Sequence, residues 1–306
     1  MIYWMRPRPA PWRKAVTAWT VAAGAFAFLA DVRPALTQTP LDLYLERVAM
    51  TAAGAQCRLF DADLTTALAV GVGQARTSAL RAGYTDSALD RSAAEARALV
   101  GGMTCQSARV QQAAQRTREA FRAYSGLQRM SFPGDVGAWR ADRSMPVHSA
   151  AWRLAQSAYA GQDRVVFGVA GREGAEAVTL SVASVDGAEP YAARLVVRDP
   201  TRMPQPLLKA GNAPLSDRTP VRAGARVILA VARADADPAL RPLGASKAVA
   251  FRFPADTEQA LEQLDPREAV SVELLYPSER GDLVHTAFLE IGDFDSGLAF
   301  LKNPVR

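Results

Sequence analysis

The sequence predicts an α+β chain in which an N-terminal antiparallel helical bundle precedes an antiparallel β-sandwich-like domain. Three observations carry this. Apolar residues recur at helical spacing from Leu41 to Tyr124, the period changes to two from Val165 onward, and no long helix separates the alternating stretches. Without intervening helices, parallel crossover units are disfavoured and antiparallel pairing fits better. The division that follows is a signal peptide over 1–30, the bundle over 39–130, an inter-domain joint over 131–164, and a β-domain with a short terminal helix over 165–306.

In chain order, Arg6, Arg8, Arg13 and Lys14 precede an uncharged run from Ala15 to Ala30. A basic start, a short apolar stretch and small residues are the plan of a secretory leader. The run of 16 residues falls short of the ~20 that span a bilayer as a helix, so cleavage is favoured over retention as an anchor. The cut is expected between about residues 27 and 38, after Ala27, after Ala30 or near Thr37. No cysteine lies near these points, which excludes a lipid-modified N-terminus. The expectation is a periplasmic or secreted protein with no stable membrane span once the leader is removed.

Charge has to be counted with that leader set aside. The chain has 36 Lys and Arg against 31 Asp and Glu, but residues 1–30 hold four of the cations and no anion. From Asp31 onward 32 face 31, so the basic character resides in the leader and argues against a nucleic-acid partner.

Export also bears on the only two cysteines, Cys57 and Cys105. Oxidising compartments favour disulfides, and two thiols cannot complete a four-ligand zinc site. Their separation rules out a CxxC redox motif. A Cys57–Cys105 disulfide is expected over free thiols.

Four helices are read from stripes. Leu41, Leu45, Val48 and Ala52 form the first; Phe60, Leu64, Leu68, Val72, Ala75 and Ala79 the second, ending at Gly83. Asp86 can cap a third carrying Leu89, Ala93, Ala96 and Val100, and Val110, Ala114, Thr117, Phe121 and Tyr124 mark a fourth that ends near Gly126. Short connections imply antiparallel neighbours, and the many alanines allow close approach with little area buried. After Phe132-Pro133-Gly134 the pattern lapses, resuming as helix around Ala150 to Tyr159.

Strands are expected at Val165–Ala170, Ala177–Val185, Ala192–Arg198, Ala225–Arg233, Ala248–Phe253, Ala269–Tyr276 and His285–Ile291. Turn pairs such as Asp186-Gly187, Asp199-Pro200 and Asp265-Pro266 separate them. A short helix is expected at Asp256–Leu264, where Asp256 and Gln259 have capping-box spacing.

The closing stretch, FPADTEQALEQLDPREAVSVELLYPSERGDLVHTAFLEIGDFDSGLAFLKN, resembles the end of invasion-associated locus B proteins, through Phe294, Ala299, Leu301 and the order of short helix, two strands and terminal element. These are exported alphaproteobacterial proteins with a β-rich domain. The resemblance implies an envelope protein and assigns no catalytic residue. This chain departs from the pattern in having no cysteine in the β-domain.

The chemistry that the sequence excludes is broader than what it suggests. HExxH, GxSxG, SxxK and a Walker loop are all absent, and nothing points to a cofactor or metal. Gly168, Gly171 and Gly174 lie between two strands, where a hairpin turn outweighs a phosphate cradle. His285 shares a strand face with Ala287, Leu289 and Ile291 and reads as a core histidine rather than a base. The Asp293-Phe294-Asp295-Ser296-Gly297 stretch has the alternating carboxylates of a calcium loop but lacks its third and last ligands, so helix capping by Asp295 or Ser296 is the stronger reading.

One segment remains as a candidate ligand site. Trp139, Arg140, Arg143, His148, Trp152 and Arg153 bring both tryptophans of the post-leader chain together with three arginines and a histidine. Aromatic rings beside guanidinium groups suit carboxylates or sugars, and the indoles are expected to fill a cleft between the two domains. Domain packing by the same residues is the competing reading. The functional expectation is a non-catalytic exported protein that binds an envelope component or a protein partner. The alternative is an exported hydrolase without a recognisable motif.

Overall fold

A computed structural model describes residues 38–144, 151–171, 177–209, 213–279 and 281–302. The expected signal peptide (1–30) and His148 lie outside the described residues.

Four helices come first: α1 (Pro40–Cys57), α2 (Ala62–Arg81), α3 (Asp86–Gly101) and α4 (Ala108–Ser125). Thr39, Asp61, Thr85 and Ser107 stand at their N-caps, each accepting a hydrogen bond from a first-turn amide. Thr85, not the expected Asp86, therefore caps α3, and Asp86 is its first helical residue. Two small clusters hold the bundle. Tyr44, Val48, Ala75, Ala79, Leu80, Leu89 and Ala93 form one, and Met50, Ala53, Val100, Ala113 and Ala114 the other. The Cys57–Cys105 disulfide, with Cα atoms 5.5 Å apart, ties the end of α1 to the turn before α4, as expected.

The β part begins earlier than the periodicity suggested. Segment 131–164 carries strands, not a helix-bearing joint: β1 (Arg129–Pro133), β2 (Ala138–Ser144) and β3 (Ala151–Ala160) run in antiparallel succession. Trp152, Ala155 and Tyr159 have helical spacing in β3, which hid the period of two. In the fold, Trp152 and Leu154 face the main core while Ala155 packs on the opposite face with Leu240. Gln156, on the core-facing set, is polar because its side chain bonds the backbone of Glu290 at both N–H (2.8 Å) and C=O (3.1 Å).

The remaining strands are β4 (Asp163–Ala170), β5 (Thr179–Ala183), β6 (Ala192–Arg198), β7 (Ala225–Leu229), β8 (Ala232–Asp235), β9 (Val249–Arg252), β10 (Ala269–Tyr276) and β11 (Leu283–Glu290). They build a seven-stranded sheet, β1-β2-β3-β4-β5-β9-β8, and a four-stranded sheet, β11-β10-β6-β7, every pairing antiparallel. The run expected as one strand, Ala225–Arg233, changes sheets midway. The Ala230 amide still bonds Ala193 of β6 (3.0 Å), whereas the next amide, Val231, reaches Arg252 of β9 (2.8 Å).

One apolar core joins both sheets with α6 (Phe294–Lys302), whose Phe294, Leu298, Phe300 and Leu301 are buried in it. A Cβ on Gly297 would lie 2.4 Å from Leu154 Cδ1, so α6 reaches this close to β3 only with glycine there. The bundle docks through α2 onto α6. A short α5 (Thr257–Glu262) follows β9, but its expected cap Asp256 makes no capping bond and pairs with Arg226 at 2.7 Å.

Candidate functional site

Trp139, Arg143 and Trp152 are spent on packing. The Trp139 indole is 2% exposed, lies 5.0 Å from the Phe294 ring, and donates to the carbonyl of Ile291 at 2.8 Å. Trp152 donates to Leu301 at 3.2 Å. Both indoles are thus buried, as their size requires, but in the sandwich core against α6 and not in a cleft between two units.

Arg143 is 3% exposed and acts as a clamp on two helix ends. Its guanidinium donates to the carbonyls of Tyr124, Ser125 and Leu127 at the end of α4, and to that of Phe300 at 2.9 Å near the end of α6. It also stacks 3.9 Å from the Phe300 ring. A cation at helix C-termini meets the carbonyl ends of two dipoles, while burial lowers the guanidinium below its ordinary range. Arg153 donates to Ala239 at 2.5 Å, and Arg140 is exposed on β2. Of the five described residues, none lines the groove found on the four-stranded sheet.

The other histidine has a carboxylate partner. Asp163, 4% exposed, accepts from Tyr276 Oη at 2.6 Å and from the Val185 amide at 3.1 Å, and lies 3.2 Å from His285 Nδ1. Burial and the Asp163 carboxylate push the Tyr276 hydroxyl far up. The cluster ties the start of β4 to the hairpin of β10 and β11, across the two sheets. Among the described residues His285 makes no hydrogen bond to a Ser, Thr or Cys.

Charged groups also gather where the bundle meets the β part. Arg81 of α2 approaches Asp293 (3.6 Å) and Asp135 (3.9 Å), and Asp135 pairs with Arg218 at 3.0 Å. The Glu290 carboxylate accepts the amides of Asp135, Val136 and Gly137 at 2.8, 2.9 and 3.0 Å, which fixes the turn between β1 and β2. The calcium reading fails on these uses: Glu290 is occupied by amides, and Asp293 faces a guanidinium. Asp295 and Ser296 sit inside the first turn of α6 instead of capping it. Burial raises both Asp293 and Asp295 to about 6. No group of three or more His, Cys, Asp or Glu among the described residues is placed to hold a metal ion.

An open cavity lies elsewhere, on the outer face of the four-stranded sheet. It holds about 600 Å³ between Arg194, Arg202, Arg222 and Arg226, with Asp199 and Glu273, over a floor of Val196, Ala225 and Val227. The strand register explains the floor. On β6, Ala193, Leu195 and Val197 face the core, so Arg194 and Val196 face out. On β7, Ile228 faces the core, so Val227 and Leu229 face out, 53% and 64% exposed.

The wall comes from the long 199–224 connection. Its single-turn 3-10 helix, Leu215–Arg218, packs on β10 and β11, leaving the β6–β7 half of the face uncovered. A buried bidentate pair anchors that wall: Arg198 meets Glu268 at 2.7 and 2.8 Å and donates onward to the Met203 carbonyl at 2.9 Å. Arg194 pairs with Glu273, and Arg202 with Asp199 at 3.4 Å. Arg222 forms no ion pair among the described residues. With Arg226 also paired to Asp256 at 2.7 Å, four guanidinium groups face three carboxylates, and this basic excess over apolar ground suits a ligand that carries carboxylates or phosphates on an apolar body.

A disulfide-stapled helical bundle on a two-sheet sandwich, with an arginine-lined open face, is the class that this architecture defines. Set beside protein-family models, curated proteins and solved structures, the chain matches none of them. Sequence reading passed over the groove, although Arg194 and Arg198 alternate on one strand face and Val227, Leu229 and Val231 on another. An alternation of apolar side chains reads as a buried face, and only the sheet order shows that this one lies at an edge.

Proposed function

We propose that this is an exported periplasmic protein that works by binding, and that it takes an envelope component or protein partner on the open half of its four-stranded sheet. The arginine-lined groove is the observation that carries this reading. Acidic groups on a ligand would meet guanidinium donors there, while its apolar parts cover Val196 and Val227. Two further features support export: the basic, then apolar opening of the chain, and a disulfide of the kind that oxidising compartments maintain. Among the described residues no helix is long and apolar enough to cross a membrane.

The test has two parts. Cell fractionation with intact-mass analysis should find the protein in the periplasm, shortened by its leader and lighter by two hydrogens than the reduced chain. A photo-cross-linker at Val227 should give adducts in the periplasm that disappear on Arg194→Glu with Arg222→Glu, whereas one at exposed Leu99 on α3 should give none of the same mass. Adducts unaffected by charge reversal would remove the groove from the reading.

The hydrolase alternative rests on the Asp163–His285 pair, an imidazole oriented by a carboxylate. It would require a His285→Gln variant to lose an esterase or amidase activity that the unaltered protein shows.

A further inference from the structure

We propose that β7 is a strand-addition site, and that its occupant is an extended segment of a partner protein in which acidic residues alternate with apolar ones. This deepens the binding reading above and rests on it. β7 is the last strand of the four-stranded sheet and pairs on one side only, with β6. The bonds just beyond its ends fix which way its backbone points. Ala230 N–H donates to Ala193 and Asp199 N–H donates to Gly224, so the even-numbered residues of this run face β6. In an antiparallel ladder the intervening residues turn their N–H and C=O groups the other way. Val227 and Leu229 therefore present theirs to the open edge, whereas the N–H of buried Ala225 is taken up by the Arg222 carbonyl.

Edge strands of natural proteins are blunted by lysine, proline, bulges or cover. Here the outward set at the edge is apolar instead: Val227 and Leu229 are 53% and 64% exposed. Those features match a surface that recruits an extended chain, with main-chain bonds supplying affinity and side-chain pockets the selectivity. The charge beside the edge specifies the chemistry of the visitor. Side chains that an added strand directs to the outer face would lie over the groove, beside Arg194, Arg202 and Arg222, where carboxylates are favoured. A second copy of this chain is the poorer occupant. Isologous pairing of β7 with itself would bring two arginine-lined grooves side by side, with like charges adjacent.

The experiment uses the full mature chain and a fluorescently labelled short peptide of alternating glutamate and valine, with the lysine–valine peptide as control. Amide hydrogen exchange at Val227 and Leu229 should slow at least about tenfold when the glutamate peptide saturates, while Ile228, already paired to β6, changes little. Val227→Pro removes one outward donor without touching the bonds to β6, and should weaken the peptide about tenfold with an unchanged unfolding midpoint.

Peptide binding that Arg222→Glu abolishes, with exchange at Val227 and Leu229 unaltered, would overturn strand addition and leave the groove reading standing. Absence of binding to either peptide would overturn both. Protection of Val227 and Leu229 in a dimer without peptide would give the edge to a second copy and overturn the proposal.

Discussion

Replacing Arg143 by methionine separates the two readings of the tryptophan–arginine segment. The substitution keeps an apolar stem against Phe300 but removes every donor. Phe300 is fully buried, so its carbonyl is left without that donor, at a cost of about 1–3 kcal/mol. The carbonyls of Ser125 and Leu127 border solvent and can turn to water, so their loss is smaller, on the order of 0.5 kcal/mol each. With the stacking on Phe300 also gone, the expected destabilisation is about 3 kcal/mol. Arg143→Lys should recover less than half of this, because one ammonium cannot reach carbonyls on two helix ends in a fork. Urea unfolding followed by tryptophan fluorescence measures it directly, since Trp139 and Trp152 are buried close to this clamp. A loss under about 1 kcal/mol, together with weaker binding of an anionic ligand, would refute the clamp and return Arg143 to a binding role.

Three more outcomes are expected. Cys57→Ser with Cys105→Ser should cost roughly 4 kcal/mol in the chain-entropy account, because the disulfide closes a loop with a sequence separation of 48; a drop under about 1 kcal/mol in urea unfolding would contradict it. Glu268→Ala should cost about 3 kcal/mol by stranding the buried Arg198, and should speed proteolysis of the 199–209 wall; resistance equal to the unaltered protein would count against anchoring. Burial raises Asp293 and Asp295 to about 6 and Glu46 to about 7, from about 4 in the unfolded chain. Folded values above unfolded ones mean stability that is full at low pH and lost as pH rises through these values. The urea midpoint should therefore fall from pH 5 to pH 8, and Asp293→Asn should flatten the part between about 4 and 6; a midpoint that climbs over that range would reject the assignment.

What the sequence determined by itself is local or forced by number. Helical stripes, polar caps and turn pairs act within one or two turns of chain, so the four helices and most strands after Val165 were legible. The disulfide was expected because there are only two cysteines and the opening of the chain reads as a secretory leader. β1 to β3 were not legible, because alanines on both faces of β3 erase the alternation, and a strand exists only when a partner supplies its bonds. Tryptophan size required Trp139 and Trp152 to be buried, but α6, some 150 residues later in the chain, decided where. Arg143 looked like a ligand group until Phe300, 157 residues away, brought a carbonyl to it. The groove depends most fully on tertiary structure. It exists because the Arg198–Glu268 pair, 70 residues apart, pins one long loop over half a sheet and leaves the other half, with its edge strand, uncovered. Such long-range pairings have no period in the sequence, since they are set by which surfaces meet once the core has closed.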